Sequence, residues 1–244
     1  MFDCYIASDL NNIKKYCVQL KQNGFTGVCF TEPVLFIPEK LKKVPQKLSS
    51  DIEILNGLDI VYEPETHEAI ALCTLGSGVD VIINSVKGVD GSFLDEHEYY
   101  SSQSRNNAYS RYLEKVYDSL DAAYDYQLIG SLGYPSMHAY YPSPSMQYRE
   151  LPEILDNILM RVAFTGKGLT VDSSLFPRFG ETLPSRSILK RFRELGGEIV
   201  SVGSFAQQPE QAGMYIKAAH ELLKGCGFDY TAVFRAGQPQ MIKL

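Results

Sequence analysis

The sequence predicts an α/β protein folded as a distorted seven-stranded (β/α) barrel of TIM-like form. Short apolar, β-branched runs alternate with longer segments of helical period, which is the mark of parallel βα units. Seven such runs, each followed by a helix or a long loop, suit a barrel better than a short open sheet. A chain of 244 residues, 45% hydrophobic and 21% charged, is also long enough to bury one large core, so a single domain over 1–244 is expected.

The strand candidates run in order through Asp3 to Ala7, Gly27 to Phe30, Ile52 to Ile60, Val79 to Ser85, Gln127 to Leu132, Gly168 to Asp172 and Glu198 to Val202, with a further extended run from Tyr230 to Arg235. The first helix has its start signal at Ser8 or Asp9 and its stop at Asn23-Gly24. A long amphipathic helix is predicted from about Ser104 to Tyr126, because Tyr109, Tyr112, Leu113, Val116, Leu120 and Ala123 recur at three and four. Pro184-Ser185 precedes a helix ending at Leu195-Gly196-Gly197, and Pro209 one that ends at Lys224-Gly225. Two stretches, Gly88 to Gln103 and Gly133 to Arg149, are long for α/β loops and are candidate binding loops.

Composition narrows the function classes. The net charge of −6, with scattered Lys and Arg, offers no footprint for a nucleic-acid backbone. No apolar run approaches the roughly 18 to 20 residues of a membrane span, and the N-terminus is too short and acidic for a signal peptide, so a cytoplasmic protein is expected. Five cysteines, odd in number and mostly inside apolar segments, read as reduced core thiols. His67, His97, His138 and His220 show no zinc-site spacing, and there is neither a P-loop nor a Gly-x-Ser-x-Gly elbow. His138 stands apart because its loop lies near a strand end.

In a parallel barrel the site forms at the strands' C-terminal ends, where the following loops converge. Those ends are Tyr5 and Ala7, Glu32 and Pro33, Asp59, Lys87, Ser131, Asp172 to Ser174, and Ser204 to Gln207. With them in view, Leu195-Gly196-Gly197-Glu198-Ile199-Val200-Ser201-Val202-Gly203-Ser204 followed by Phe205-Ala206-Gln207 closely resembles the last metal motif of PHP-type (polymerase and histidinol phosphatase) histidinol phosphatases, which reads Gly-Ser-Asp-Ala-His. The likeness extends through Gly24-Phe25 to Thr31-Glu32, Asn84-Ser85-Val86-Lys87, Ala108 to Leu113, Pro184-Ser185 with Ile188-Leu189-Lys190, and Gly227-Phe228 to Phe234-Arg235. These segments follow the family's order over almost the whole chain, so the resemblance implies a PHP-type barrel.

Such enzymes hold a cluster of divalent metals that activates a water and clamps the phosphate. The resemblance places the family's ligand positions on Tyr5, Ala7, Pro33, Asp59, Lys87, Ser131, Phe205 and Gln207, of which only Asp59 keeps a ligand chemistry. No metal and no cofactor are therefore expected. Lys87 either takes over part of the metals' charge by pairing with Asp59 or Glu32, or projects into solvent. Arg178, near where the family carries a phosphate-contacting basic residue, and Arg161 are candidates for holding an anion together with Lys87 and His138. The 16 tyrosines read mainly as packing residues, with Tyr140-Tyr141-Pro142-Ser143-Pro144 as a candidate surface for a protein partner. Two functions follow: a non-catalytic relative that binds a small anionic or phosphorylated molecule or a protein, and a histidinol-phosphate phosphatase or related phosphoesterase. The second would have to work through an unfamiliar site of Asp59, Glu32, Asp172, Lys87 and His138.

Overall fold

The computed structural model describes residues 1–7, 12–39, 41, 43–45, 51–141 and 145–244, with Ala7 described by its backbone alone. Seven strands form one all-parallel sheet in the order β1 (Phe2–Ala7), β2 (Gly27–Val34), β3 (Glu53–Val61), β4 (Val81–Ser85), β7 (Leu128–Ile129), β8 (Gly168–Asp172) and β9 (Val200–Gly203). A small antiparallel pair, β5 (Gly88–Val89) and β6 (Ser92–Phe93), follows β4. Every residue of β4 and β8 is buried, as expected where both faces of a parallel sheet are covered.

The sheet nearly closes on itself. β9 lies beside β1 without a hydrogen-bonded ladder, and the approach is so close that a Cβ at Gly203 would fall 1.6 Å from the Cys4 carbonyl oxygen. Asp3, fully buried in β1, fastens the seam by accepting from the Ser204 amide at 2.7 Å, the Ser204 hydroxyl at 2.5 Å and the Gly213 amide at 2.6 Å. Burial pushes its carboxyl up to about 6, opposed by these three donors.

Helices cover the outside. In α1 (Ile13–Gln22) the apolar residues Ile13, Tyr16, Cys17 and Leu20 recur at three and four and form the buried face. The helix stops where the sequence predicts. Gly24 takes a left-handed φ of 77°, while the Phe25 amide donates to Leu20 O and the Gly24 amide to Lys21 O, a Schellman closure. Its predicted start signals, Ser8 and Asp9, lie outside the described residues. The chain also forms α2 (His67–Thr74), the short α3 (His97–Ser101), α4 (Arg105–Ser119), the short α5 (Pro135–His138), α6 (Pro152–Phe164), the short α7 (Phe176–Phe179), α8 (Arg186–Glu194) and α9 (Ile216–Gly225), with α5 and α7 at the C-terminal ends of the strands.

Two boundaries differ from the sequence reading for identifiable reasons. The helix expected to reach Tyr126 ends at Ser119, because the Tyr126 hydroxyl donates to Leu120 O and the Tyr124 hydroxyl to Asn84 Oδ1, folding the chain back onto the sheet. The strand expected over Gln127 to Leu132 keeps only Leu128–Ile129. Beyond it, Gly130 presses onto the Ser85 side chain, and Ser131 turns into a left-handed φ of 43°.

The barrel interior is a separate apolar cluster of Cys4, Tyr5, Cys29, Leu55, Val81, Ile83 and Leu128, stoppered by Ala232, Val233 and Phe234. These last three come from β10 (Tyr230–Arg235), which pairs antiparallel with β11 (Gln238–Lys243). No described helix is long and apolar enough to cross a membrane.

Candidate functional site

The strand ends meet around a cavity of about 380 Å³, bordered among others by Asp59 from β3, Lys87 after β4, Ser131 after β7, Asp172 from β8, and Phe205 and Gln207 after β9. His138 and Tyr134 from the loop after β7, and Met214 and Tyr215 from the segment before α9, complete the wall. A larger hollow of about 530 Å³ lies elsewhere, lined among others by Glu114 and Asp118 from α4, Glu150 just before α6 and Glu153 in its first turn, with no Lys or Arg among the described residues that line it.

At the centre stands an ion pair. Lys87 Nζ lies 2.6 Å from Asp59 Oδ2, with side chains only 26% and 17% exposed, and the Ser85 hydroxyl donates to Asp59 Oδ1. Burial pulls the Lys87 ammonium down, but the charge and hydrogen bond of Asp59 outweigh it and hold the group above its ordinary value. Of the two placements open to Lys87, the structure has the one paired with Asp59.

The other positions to which the resemblance assigns ligands carry other chemistry. Tyr5 is buried in the barrel and packs against Phe205, with ring centroids 5.7 Å apart. Pro33 and Gln207 are exposed, and Ser131 is a buried hydroxyl. Tyr5, Ser131 and Phe205 nevertheless share left-handed φ values of 75°, 43° and 50°, conformations that disfavour an L side chain by about 1–2 kcal/mol each. The backbone is thus strained at a bulge inside β1 and just past the ends of β7 and β9. Among the described residues no group of three or more His, Cys, Asp or Glu is placed to hold a metal. A cluster of divalent cations needs several converging carboxylates or imidazoles, and with Asp59 already held by Lys87 only Asp172 and His138 remain among the residues bordering the cavity. The described residues do not fit a metal cluster.

The basic candidates separate. His138, half-buried at the end of α5 and packed 4.9 Å from the Tyr134 ring centroid, borders the cavity, and burial lowers its imidazole below the ordinary value. Arg178 does not border the cavity but lies beside Met137 and Pro177, which do: its Nη1 donates to Met137 O at 2.5 Å and the guanidinium covers the Phe179 ring. Arg161 does not belong to the site. It lies in the last turn of α6, which runs back toward the start of β8, so it faces the opposite end of the barrel and pairs with Asp121 over the Tyr117 ring.

The tyrosines resolve mostly as packing. Tyr99, Tyr100, Tyr109, Tyr112, Tyr124 and Tyr126 are buried, and the Tyr141 hydroxyl donates to Gln103 O. In the proposed partner loop Tyr140 is 72% exposed and packs on His97, while residues 142–144 lie outside the described part. Sequence reasoning missed Asp3, whose one signal is an acid inside the apolar run of β1.

Against this geometry, three comparisons are informative. The PHP domain family matches residues 4–174. The histidinol-phosphatase of Lactococcus lactis subsp. lactis (strain IL1403) is 24% identical over 252 residues, spanning 96% of this chain and 92% of that protein, and the probable histidinol-phosphatase of Thermotoga maritima is 23% identical over 60% of each. The crystal structure of the Lactococcus lactis histidinol phosphate phosphatase complexed with zinc, L-histidinol and phosphate superimposes with a TM-score of 0.84 over 98% of each chain at 22% identity.

Proposed function

The chain belongs to the PHP domain family and is histidinol-phosphatase-like over nearly its whole length, and from that premise we propose that it binds a small phosphorylated molecule without a metal cluster and does not hydrolyse it. The observation that carries this reading is the Lys87–Asp59 ion pair in the strand-end cavity, one fixed cation where the family's ions are expected. Lys87 neutralises Asp59, keeps an ammonium facing the cavity and gives a phosphate oxygen its partner. His138 in the wall adds a donor, and Arg178, held nearby on Met137 O, adds positive charge outside it. Phosphoester hydrolysis also needs charge stabilisation at the leaving and attacking oxygens, a role metals fill in two-ion sites, and one ammonium tied to a carboxylate supplies little of it.

Phosphate binding by calorimetry tests the reading. Inorganic phosphate is expected to bind the wild type and to lose about tenfold or more in affinity in Lys87→Met. Equal affinity in both would place the anion elsewhere.

A second reading, phosphoester hydrolysis of histidinol-phosphatase type, is favoured by the identity of the relatives, since the Lactococcus lactis protein matches 96% of this chain. In that reading Lys87 binds the phosphate and Asp172 or Asp59 serves as base, with His138 moving the proton. Phosphate release from histidinol phosphate, with and without added zinc or manganese, separates the two.

A further inference from the structure

A hollow of about 400 Å³ lies between α9 and the β10–β11 hairpin, beside the seam where β9 meets β1 without a ladder. It shares no described lining residue with the strand-end cavity. Its floor is apolar. Cys4, Ala232 and Val233 reach it from the barrel interior, and Phe2, Val202 and Ile242 extend the same surface. Among the described residues that line it the one hydroxyl, on Thr231, already donates to Val200 O. The wall is basic. Lys217, His220, Glu221 and Lys224 recur at three and four along α9 and so share one helix face, and Lys243 of β11 joins them. In a chain of net charge −6, these lining residues carry three lysines against one glutamate. Lys224 is paired with Glu221 at 2.8 Å, whereas Lys217 and Lys243 are exposed and have no ion-pair or hydrogen-bond partner among the described residues. Burial, with the Lys224 charge beside it, holds the His220 imidazole below its ordinary value, so it adds a polar edge and no charge.

We infer that this hollow binds a small amphipathic anion, a carboxylate or phosphate head on an apolar chain, with the head at Lys217 and Lys243 and the chain on the floor beside Cys4 and Ala232. Sites for small organic ligands are hollows of roughly 300–1,000 Å³, mostly apolar, in which a few polar groups set the orientation, and both parts are present here. Two unpaired ammoniums give up no protein partner when an anion arrives, unlike Lys87, which is tied to Asp59. A cationic ligand meets like charge, and a neutral apolar one leaves both ammoniums unused. Lysine is a compact charge on a flexible stem and suits either head, while no arginine fork stands among the described lining residues to select phosphate. The inference is independent of the phosphate-binding reading above, because the two hollows share none of these groups.

Calorimetry with octanoate, octyl phosphate, acetate and 1-octanol tests this on wild type, Lys217→Gln/Lys243→Gln and Lys14→Gln/Lys15→Gln, while histidine imidazole resonances locate the ligand. Lys14 and Lys15 are exposed on α1 and line neither hollow. At least one octyl anion is expected to bind wild type about tenfold or more tighter than acetate, the head alone, and 1-octanol, the chain alone. The tighter of the two identifies the head. Lys217→Gln/Lys243→Gln is expected to lose about tenfold or more and the α1 pair to stay within about twofold, with the His220 resonances shifted and those of His138 unmoved. The assignment is wrong if neither octyl anion binds, if 1-octanol binds as tightly, if the α1 pair loses as much, or if His138 shifts in place of His220.

Discussion

Replacing Asp172 by asparagine should make the protein more stable at alkaline pH and flatten its pH dependence. Burial raises the carboxyl from 3.8 to about 7, so the folded state takes up a proton that the unfolded chain has already released. The stability linked to this group is fully present below about pH 4 and is lost as the pH rises through 7. At about 1.4 kcal/mol per pH unit the whole difference is on the order of 4 kcal/mol, of which about 2.5 kcal/mol falls between pH 5 and pH 8. Asparagine keeps an oxygen for the Ser174 amide, which donates to Asp172 Oδ1, and carries no charge at either pH. For a chain of this size 1 kcal/mol corresponds to about 2–4 °C in Tm. Thermal unfolding followed by circular dichroism at pH 5 and pH 8 should therefore show the variant gaining roughly 5–10 °C on wild type as the pH is raised. Asp3, raised by burial to about 6, leaves a smaller slope of the same sign in both proteins. A Tm difference between wild type and Asp172→Asn that does not change with pH would mean that Asp172 takes up no proton on folding in this range.

Three further outcomes follow from the same geometry. Lys87→Ala and Asp59→Ala should each lower stability by about 1–3 kcal/mol, with the double variant closer to wild type than their sum, a coupling that denaturant unfolding of the four proteins would measure. Gly203→Ala sets a methyl 1.6 Å from the Cys4 carbonyl oxygen at the β1–β9 seam, so a loss above about 4 kcal/mol or insoluble expression is expected, and a soluble variant with near wild-type Tm would contradict the close seam. Arg161→Ala should leave phosphate affinity unchanged and cost less than about 1 kcal/mol, because its pairing with Asp121 is solvent-exposed and remote from the cavity.

The fold was legible because parallel βα units write their period into the chain. The reading of Gly168 to Asp172 matches β8 residue for residue, and Tyr230 to Arg235 matches β10. The failures occur where tertiary contacts override local pattern. The apolar spacing around Leu120 and Ala123 continues past the point where two tyrosine hydroxyls turn the chain, and Gly130-Ser131 looks extended until Ser85 and a left-handed backbone end the strand. At the site, the rule that function gathers at strand ends found Asp59, Lys87, Ser131, Phe205 and Gln207, which the structure does bring together. Arg161 was misplaced because distance along the sequence from β8 does not say which end of the barrel a helix terminus faces. Met214 and Tyr215 carry no chemistry that sequence alone could single out, and Asp3 acts through backbone amides that only the folded seam supplies.

We propose that Lys87 takes the place of the family's metal ions. The most direct test is elemental analysis of the purified protein after incubation with zinc and manganese, alongside phosphate release from histidinol phosphate in the same preparation. Metal well below one equivalent and no turnover above background are expected. Near-stoichiometric metal accompanied by phosphate release would contradict the proposal, and would require a ligand set that Tyr5, Ser131 and Phe205 do not provide.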